Sequence, residues 1–590
     1  MTTTFPAGDP SNGDFADRFQ ELADLLQLRG DSVYRTLAYE RTAETFRTYP
    51  TSVAEIARGG GLRSLPGVGE ALAGKAEEYL ATGHIRLLDE LQATFPPSLV
   101  TLMHLPGVGP KTARRLWEAL GVADTQSLRA AAEAGRIRAL PGMGPKTETN
   151  LLKAIQTWEG RSDRELLGHV EPLAEMLAAR LRALPQVAAA DVAGSLRRRR
   201  STVRDIDLVV ASEAPDAVMD AFAQFPEIAS VDERGRTKLA ARTHTALGVD
   251  LRVVLPASYG NLLQHFTGSA EHNVALRGYA QRLGYKVSEY DVEEVATGRS
   301  FSFLDEDDVY RLLGLPPIPP ELREGRGELE AALQGTLPRL VRRDDLLGDL
   351  HVHSDWSDGR VSLEAMAVAA RERGLRYLCF SDHSQSLGMA NGLTPERVLE
   401  QIQVIRALDA RLEGIALFAG SEVDILADGR LDLPDEILAR LDWVTASIHS
   451  GFGQPVAQIM KRLESALDHP AVDVIGHPTG RLLGRREPYE VDIERLVTRA
   501  AETGTALEIN AAYDRLDLCA AHARLATKAG AMLVISSDAH WPEGYDLLRY
   551  GVGEARRGWV EPQQLVNTRS LADFRKALDR RWGTSLTRPA

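Results

Sequence analysis

The stretch LHVHSDWSDGR, residues 350–360, contains two histidines one residue apart, with aspartates close behind. Side chains alternate across a β-strand, so this His-x-His pair would place both rings on one face. Downstream, apolar runs such as YLCFSD, VTASIH, VDVIGHP, TALEIN and AMLVISSDAH alternate with helical stretches. That order predicts a parallel sheet, either a barrel or doubly wound, with its functional site at the carboxyl ends of the strands.

Potential metal ligands fall at these strand ends. Imidazole and carboxylate groups without thiolates suit Zn²⁺, Mn²⁺ or iron and disfavour a structural zinc site. One strand-end histidine alone is more often satisfied by a backbone carbonyl, but this many in one domain predict a cluster of two or three ions. The nine candidates are His351, His353, Asp358, His383, Glu422, His449, His477, Asp538 and His540.

The middle third carries a second set of carboxylates. Asp205 and Asp207 lie two apart on a predicted strand, and Asp250 lies on another strand, in GVDLRVV. Three carboxylates on one sheet face repel one another unless cations lie between them. Two Mg²⁺ ions bridging a triphosphate would meet that need. Solvated loop acids are the alternative for an isolated Asp-x-Asp pair.

A Gly-Ser turn precedes this pair in GSLRRRRSTVRDIDLVV. Gly194 and Ser195 would let backbone amides approach a phosphate, and Arg198 would supply positive charge. The spacing favours nucleotide chemistry over a merely basic surface run.

Three Gly-rich turns recur in the first third, at LPGVG from Leu65, LPGVG from Leu105 and LPGMG from Leu140. Each precedes an amphipathic helix, whose first amides would point at a phosphate. Such contacts position DNA without reading its sequence. One copy could be an ordinary helix turn, whereas three favour DNA-backbone binding. The glycines concerned are Gly67, Gly69, Gly107, Gly109, Gly142 and Gly144.

Composition narrows the class of protein. The chain has 590 residues, enough for several domains. Its net charge is −14, so DNA binding must come from local patches. Two cysteines exclude a disulfide framework and favour a reducing cytoplasm. The polar N-terminus argues against a signal peptide, and no apolar run predicts a membrane span.

From about Leu346 onward the chain resembles the PHP (polymerase and histidinol phosphatase) family, with every motif in order. The resemblance implies a distorted seven-fold β/α barrel, a centre of up to three Mn²⁺ or Zn²⁺ ions, and phosphoester hydrolysis. His469, His522 and Asp382 match no ligand position. By resemblance the ions would be held by His351, His353, Glu422 and Asp538; by Glu422, His449 and His477; and by Asp358, His383 and His540.

Residues 10–315 resemble the family X DNA polymerases. The resemblance implies catalysis by Asp205, Asp207 and Asp250 with Mg²⁺ or Mn²⁺. It also implies a lyase-like first domain in which Lys75 forms a Schiff base, although Ala71 replaces a second lysine of the family. The implied nucleotide contacts are Arg161, Gly194, Ser195, Arg198, Phe266, Gly268, Ser269, Asn273 and Arg277.

The predicted fold class is therefore multidomain α/β, with an all-α helix-hairpin-helix region, a mixed α+β nucleotidyltransferase palm and a distorted β/α barrel. We expect a cytoplasmic, nucleoid-associated repair polymerase, monomeric and acting on gapped or primer–template DNA with dNTPs, with a 3′→5′ exonuclease in the barrel. The alternatives are a DNA-end phosphatase or nuclease whose polymerase module only docks DNA, and a non-catalytic DNA-binding scaffold. The predicted segments are 1–90 (lyase-like), 91–160 (helix-hairpin-helix), 161–256 (palm), 257–315 (nucleotide-binding), 316–345 (linker) and 346–590 (PHP).

Overall fold

The computed structural model describes residues 10–49, 52–96, 98–103, 105, 107–159, 164–245 and 247–581. Their contacts divide the chain into two compact units, each treated by itself below. The first contains the chain up to Leu196 together with Thr202–Gly268 and Arg277–Gly314. The second contains Arg197–Ser201, Ser269–Leu276 and the chain from Leu315 onward. Among the described residues, no helix is both long and apolar enough to cross a membrane.

The described residues from 10 to 159 form helices and the turns between them, as predicted. Apolar side chains such as Phe15, Phe19, Leu116 and Leu128 share one continuous core. The α-helices are Asn12–Arg29, Val33–Thr48, Val53–Arg58, Glu70–Thr82, Arg86–Thr94, Ser98–Met103, Pro110–Leu120, Thr125–Glu133 and Pro145–Glu159.

The three Gly-rich turns share one backbone geometry. Gly67, Gly107 and Gly142 have φ values of 76°, 86° and 76°, which favour glycine. Three residues later a helix begins in every copy, at Glu70, Pro110 and Pro145. The sequence therefore repeats a single structural device, a tight turn that presents a helix N-terminus.

A five-stranded sheet forms the palm. Its strand order is β2-β4-β7-β6-β5, with β4 and β7 parallel. The strands are Ala189–Val192 (β2), Asp205–Ala211 (β4), Ile228–Arg234 (β5), Lys238–Thr243 (β6) and Gly248–Val254 (β7), and Glu165–Leu166 (β1) pairs separately with Thr202–Val203 (β3). The accompanying helices are Leu167–Arg182, Gly194–Arg197 and Pro215–Ala223.

Residues 259–345 continue with short elements. A small antiparallel sheet contains Tyr285–Val287 (β8), Val292–Glu294 (β9) and Arg299–Phe301 (β10). The helices are Tyr259–Thr267, Ala270–Arg282, Glu306–Leu312 and Glu328–Gln334. The Pro-rich segment before the helix Glu328–Gln334 is well packed, since Leu322 and Arg323 are each only 1% exposed.

A seven-stranded parallel sheet curls into a nearly closed barrel, which confirms the predicted fold class. Its strands neighbour one another in sequence order, and a bridge from Val352 to Ala539 links the first strand to the chain after the last. They are Gly348–Val352 (β11), Tyr377–Phe380 (β12), Ala416–Asp424 (β13), Trp443–Ser447 (β14), Val474–Ile475 (β15), Ala506–Asn510 (β16) and Leu533–Ser536 (β17).

Helices surround the barrel and close one end of it. Phe574, on the last helix, is fully buried and stacks on Tyr377 with ring centroids 4.7 Å apart. The functional side chains gather instead where the strands end. The barrel helices are Leu363–Glu372, Pro395–Asp409, Asp435–Leu438, Val456–Leu467, Ile493–Thr503, Ala520–Ala529, Leu548–Arg557 and Leu571–Arg581.

Candidate functional site

Glu422 occupies the centre of the barrel site. It lies near the end of β13 and is only 1% exposed. Its Oε1 is 2.9 Å from Nε2 of His477 and 3.3 Å from Nε2 of His449. Its Oε2 is 2.9 Å from Nδ1 of His383 and 3.3 Å from Nε2 of His351. A carboxylate with imidazoles on both oxygens can bridge two cations.

Two further carboxylates collect the remaining imidazoles. Asp358 has an oxygen 3.3 Å from Nε2 of His540 and another 3.6 Å from Nε2 of His383. Asp538 Oδ1 is 3.1 Å from Nε2 of His353. The rings of His353 and His540 stack with centroids 4.1 Å apart. All nine predicted ligands are therefore brought together.

The ligand atoms divide into three groups, and within each they lie within 4.8 Å of one another. The resemblance assigned His383 to one ion only, but its two ring nitrogens face Glu422 and Asp358, so it belongs to two groups. His477 joins the cluster through Glu422. The groups are His351, His353 and Asp538; His383, Glu422 and His449; and His353, Asp358, His383 and His540.

Several buried nitrogens in this cluster lie near carboxylates, but within the described part of the chain they meet none of them with hydrogen-bond geometry. They include Nε2 of His351, both ring nitrogens of His353 and Nδ1 of His383. A buried polar atom without a partner is costly, and a cation would satisfy several of these nitrogens at once. The donor set of imidazole and carboxylate fits transition-metal cations.

The pKa values show the mutual influence of these groups. Burial, followed by the charges of His540 and His383, lowers the pKa of His353 to about 4. Burial opposes the charge on His383, but Glu422 and Asp358 outweigh it and raise its pKa to about 10. Since a metal binds only unprotonated imidazole, cation binding must release protons here.

Two carboxylates outside the predicted ligand set orient ligand histidines by accepting hydrogen bonds from their Nδ1 atoms. Glu508 Oε1 accepts a hydrogen bond from Nδ1 of His351 at 2.7 Å, and Asp424 Oδ1 accepts one from Nδ1 of His449 at 2.8 Å. Such partners fix the ring and its tautomer. The sequence analysis missed both. Asp424 had a signal, because it lies two residues after Glu422 on one strand and therefore shares its face.

Arg515 is the other residue that the sequence analysis missed. It lines a pocket of about 270 Å³ above the cluster, and its Nε lies 3.8 Å from Oδ2 of Asp538. Burial opposes its charge, but Asp538 and neighbouring carboxylates outweigh burial and raise its pKa. A guanidinium here places a permanent cation beside the metal-type ligands.

The palm places its carboxylates on two adjacent strands. Asp207 on β4 lies directly opposite Asp250 on β7, and Asp205 lies opposite Gly248. All three carboxylates are half-buried. They are not among the ligand groups found within 4.8 Å in the described residues. Their strand register nonetheless puts them on one face of the sheet.

Gly194 has a steric role that its spacing did not reveal. Its φ is 60°, and a Cβ there would lie 1.8 Å from Oδ2 of Asp207. Glycine at this position therefore makes room for a palm carboxylate as well as exposing backbone amides. Ser195 follows it in the short helix Gly194–Arg197.

The other predicted nucleotide contacts have varied surroundings. Gly268 follows the helix that carries Phe266 and has a φ of 68°. Asn273 is buried, and Arg277 is exposed. Arg161 lies outside the described residues.

The predicted nucleotide contacts Arg198 and Ser269, like Asn273, belong to the second unit. The Arg198 guanidinium lies 3.0 Å from a carboxylate oxygen of Glu324. The Ser269 amide donates to the Arg323 carbonyl at 2.9 Å. The nucleotide-binding roles of Arg198 and Ser269 stay predictions.

Lys75 lies on the helix Glu70–Thr82 in the first hairpin. Its Nζ donates to the Ala71 carbonyl at 3.3 Å and lies 5.9 Å from the centroid of the Tyr39 ring. An amine over an aromatic face is held in place by the ring quadrupole. The lyase role of Lys75 stays a prediction.

Four family models match the chain. They are "Helix-hairpin-helix domain" over residues 10–85, "SAM-like Helix-hairpin-helix tandem" over 99–157, "DNA polymerase beta thumb" over 262–324 and "PHP domain" over 349–512. The three hairpin turns fall within the first two matches. The barrel ligands from His351 to His477 fall within the last.

Curated relatives cover the whole chain or parts of it. The "DNA polymerase/3'-5' exonuclease PolX" of Bacillus subtilis (strain 168) is 40% identical over 95% of this chain and 98% of its own length. A "Probable phosphatase" of Syntrophotalea carbinolica is 28% identical over 37% of this chain and 90% of its own. The "DNA polymerase lambda" of Rattus norvegicus is 26% identical over 52% of this chain and 55% of its own. The chain therefore belongs to the family X DNA polymerases that carry a C-terminal PHP domain.

Proposed function

We propose that this protein extends 3′-hydroxyl ends in short DNA gaps and removes nucleotides from 3′ ends with its PHP domain. The observation that carries the proposal is the presence of two chemically different ligand sets, one of carboxylates in the palm and one rich in imidazole in the barrel. The 40% identical relative is named for both activities. Its proposed substrates are gapped or primer–template DNA and dNTPs, and we propose a monomer in the cytoplasm, associated with the nucleoid.

The proposed cofactors follow from the ligands. Oxygen ligands alone suit Mg²⁺ or Mn²⁺ in the palm, and mixed ligands suit up to three Mn²⁺ or Zn²⁺ ions in the barrel. When bound, such cations supply the Lewis acidity that activates an attacking oxygen and neutralises a phosphate ester. The nine barrel ligands, and Asp205, Asp207 and Asp250 in the palm, are the residues that would hold them.

Other residues of the chain position the ligands and the substrate phosphate. In the barrel, Glu508 and Asp424 hold the rings of His351 and His449 in fixed orientations, so the ligands are preorganised. Arg515 offers a planar guanidinium to a phosphate oxygen in the pocket. In the palm, the strand register aligns Asp207 with Asp250.

Sequence-independent DNA binding is assigned to the three hairpins. Each begins a helix three residues after a left-handed glycine, and the first amides of that helix would donate to a DNA phosphate. The segment boundaries given above remain our working assignment. A 5′-deoxyribose-phosphate lyase activity of Lys75 is a separate prediction, which borohydride trapping of the wild type against Lys75→Ala tests directly.

Primer extension by Asp207→Ala tests the polymerase assignment. Losing one palm carboxylate should lower extension of a 5′-labelled gapped primer by at least about a thousandfold, while shortening of the same primer continues. Asp232→Ala is the matched control, because Asp232 lies on β5 of the same sheet and pairs with Arg242 at the surface. Wild-type extension by Asp207→Ala would overturn the role of the palm carboxylates, whereas the absence of extension by the wild-type protein itself would favour the alternative of a nuclease or phosphatase whose polymerase module only docks DNA.

A further inference from the structure

The pocket above the metal-type ligands has one apolar side. Seven of the nine ligands line the pocket, and Arg515 provides a cationic wall. Leu387, Met389 and Ala390 complete its lining, and we call these three residues the apolar lip. Phosphate chemistry alone has no use for such a surface, because a phosphodiester needs charge and hydrogen bonds.

Met389 is unusually exposed for an apolar side chain. It is 88% exposed, and among the described large hydrophobic residues only Tyr34 is more exposed. Isolated surface hydrophobics are common and need no explanation. Here, however, the side chain lines the pocket that holds the candidate metal ligands.

The lip is held in place by hydrogen bonds at both ends. The Ser386 hydroxyl donates to Oδ2 of Asp424 at 2.5 Å, and the Ser386 amide donates to Oδ2 of Asp432 at 2.7 Å. At the other end, the Asn391 side chain donates to the Trp356 carbonyl at 3.0 Å. An exposed methionine on an anchored segment is therefore presented to the pocket rather than left on a loose loop.

One of these anchors also serves the metal site. Asp424 accepts the Ser386 hydroxyl on one oxygen and Nδ1 of His449 on the other, at 2.8 Å. The position of the lip is thus tied to the orientation of a candidate ligand.

We propose that the apolar lip contacts the base of the terminal nucleotide and makes the PHP site prefer 3′ ends that carry a base; this rests on the proposed exonuclease function. A nucleotide has the required two-sided character, with an anionic phosphate for the cationic Arg515 wall and a flat apolar base for the lip. A flexible thioether packs on any base face, so the preference is independent of sequence. The cavity of about 270 Å³ offers space for one terminal nucleotide.

The test compares two DNA ends that differ only in the base. A 5′-labelled strand ends in thymidine or in a tetrahydrofuran abasic residue, and kcat/KM for removal of that residue is measured in Mn²⁺. Wild type should remove thymidine about tenfold faster. Met389→Ser should lose most of this preference, with no more than about a twofold change on the abasic end. Met389→Leu should retain it.

Leu333→Ser is the matched control, since Leu333 is 50% exposed on the helix Glu328–Gln334 and does not line the pocket. An unchanged thymidine-to-abasic ratio in Met389→Ser, or an equal loss on both ends, overturns the proposal. Calorimetry on manganese-loaded protein distinguishes failure of the proposed exonuclease function from failure of the proposed role of the lip. If wild type cleaves neither end, the exonuclease function fails, and the lip is then judged by binding alone. Tighter binding of thymidine 5′-monophosphate than of deoxyribose 5-phosphate, lost in Met389→Ser, supports the lip, and equal binding of the two overturns it.

Discussion

The palm and the barrel solve the same problem, the binding of cations for phosphate chemistry, in opposite ways. The palm offers three half-buried carboxylates on two strands, whereas the barrel surrounds a 1%-exposed glutamate with imidazoles. Oxygen-only ligands favour hard cations that keep much of their water, so the palm should depend on the nucleotide to complete its site. On our proposal, the barrel ligands are arranged to hold cations before the substrate arrives.

Replacing Mn²⁺ by Mg²⁺ should give the largest difference in activity between the palm and the barrel. Mg²⁺ binds imidazole poorly, so with Mg²⁺ alone we expect 3′-end degradation to fall about a hundredfold below its rate in Mn²⁺. Extension should proceed in either metal. The measurement is the rate of both reactions on one labelled primer, after chelation and reconstitution with each cation. Degradation that is equally fast in Mg²⁺ would remove the distinction between the two ligand sets.

Asp424→Asn should weaken cation binding in the barrel and leave the palm unaffected. The change replaces the carboxylate that accepts from His449, and loss of such a partner costs about ten- to a hundredfold in metal affinity. Calorimetric titration of Mn²⁺ into stripped protein measures this effect. Asp428→Asn is the control, because Asp428 is an exposed residue nearby in sequence that pairs with Arg430 at the surface. Equal affinity in the two variants would exclude the orienting role.

Gly109→Val should weaken DNA binding about tenfold without disturbing the fold. Gly109 has an ordinary φ of −76°, and a Cβ there meets no atom within 4 Å, so the added side chain would obstruct only an approaching phosphate. Gly107→Val should also destabilise its turn, because φ is 86° there. Fluorescence anisotropy with two unrelated gapped sequences measures the loss. A loss confined to one sequence would contradict backbone binding.

His169 should give a pH dependence of stability. Burial disfavours its charge, but Glu165 and Glu44 outweigh burial and raise its pKa to about 9. Its folded pKa is above the unfolded value, so the stabilisation is complete below about pH 6.5 and is lost as the pH rises through 9. We expect about 2 kcal/mol between wild type and His169→Gln at pH 6 and almost none at pH 10, from urea unfolding. An equal difference at both pH values would exclude a charged imidazole.

The barrel ligands were predictable from sequence because the carboxyl ends of parallel strands meet at one rim. His351, Glu422 and Asp538 lie far apart in the chain, yet each follows or ends an apolar run that is recognisable as a strand. The hairpin turns were predictable for a different reason. Their glycines repeat with identical spacing, and the left-handed φ is a local property of the turn.

The rest depends on contacts that no local pattern contains. Glu508 approaches His351 only because β16 and β11 belong to the same barrel, and His383 joins two ligand groups only because its ring lies between Glu422 and Asp358. The close approach of Gly194 to Asp207 has the same origin, in the packing of the chain before β4. The sequence predicted which residues take part, and tertiary packing determines which of them meet.

The central claim is that the two sites act independently, and His353→Ala tests it most directly. On a 5′-labelled gapped primer, with and without dNTPs in Mn²⁺, this variant should degrade at least about a thousandfold more slowly than wild type and extend at a rate within twofold of it. His469→Ala is the control, since His469 lies outside the cluster and pairs with Asp435. If His353→Ala still degrades the primer at the wild-type rate, or loses extension and degradation together, the account of two separate sites is contradicted.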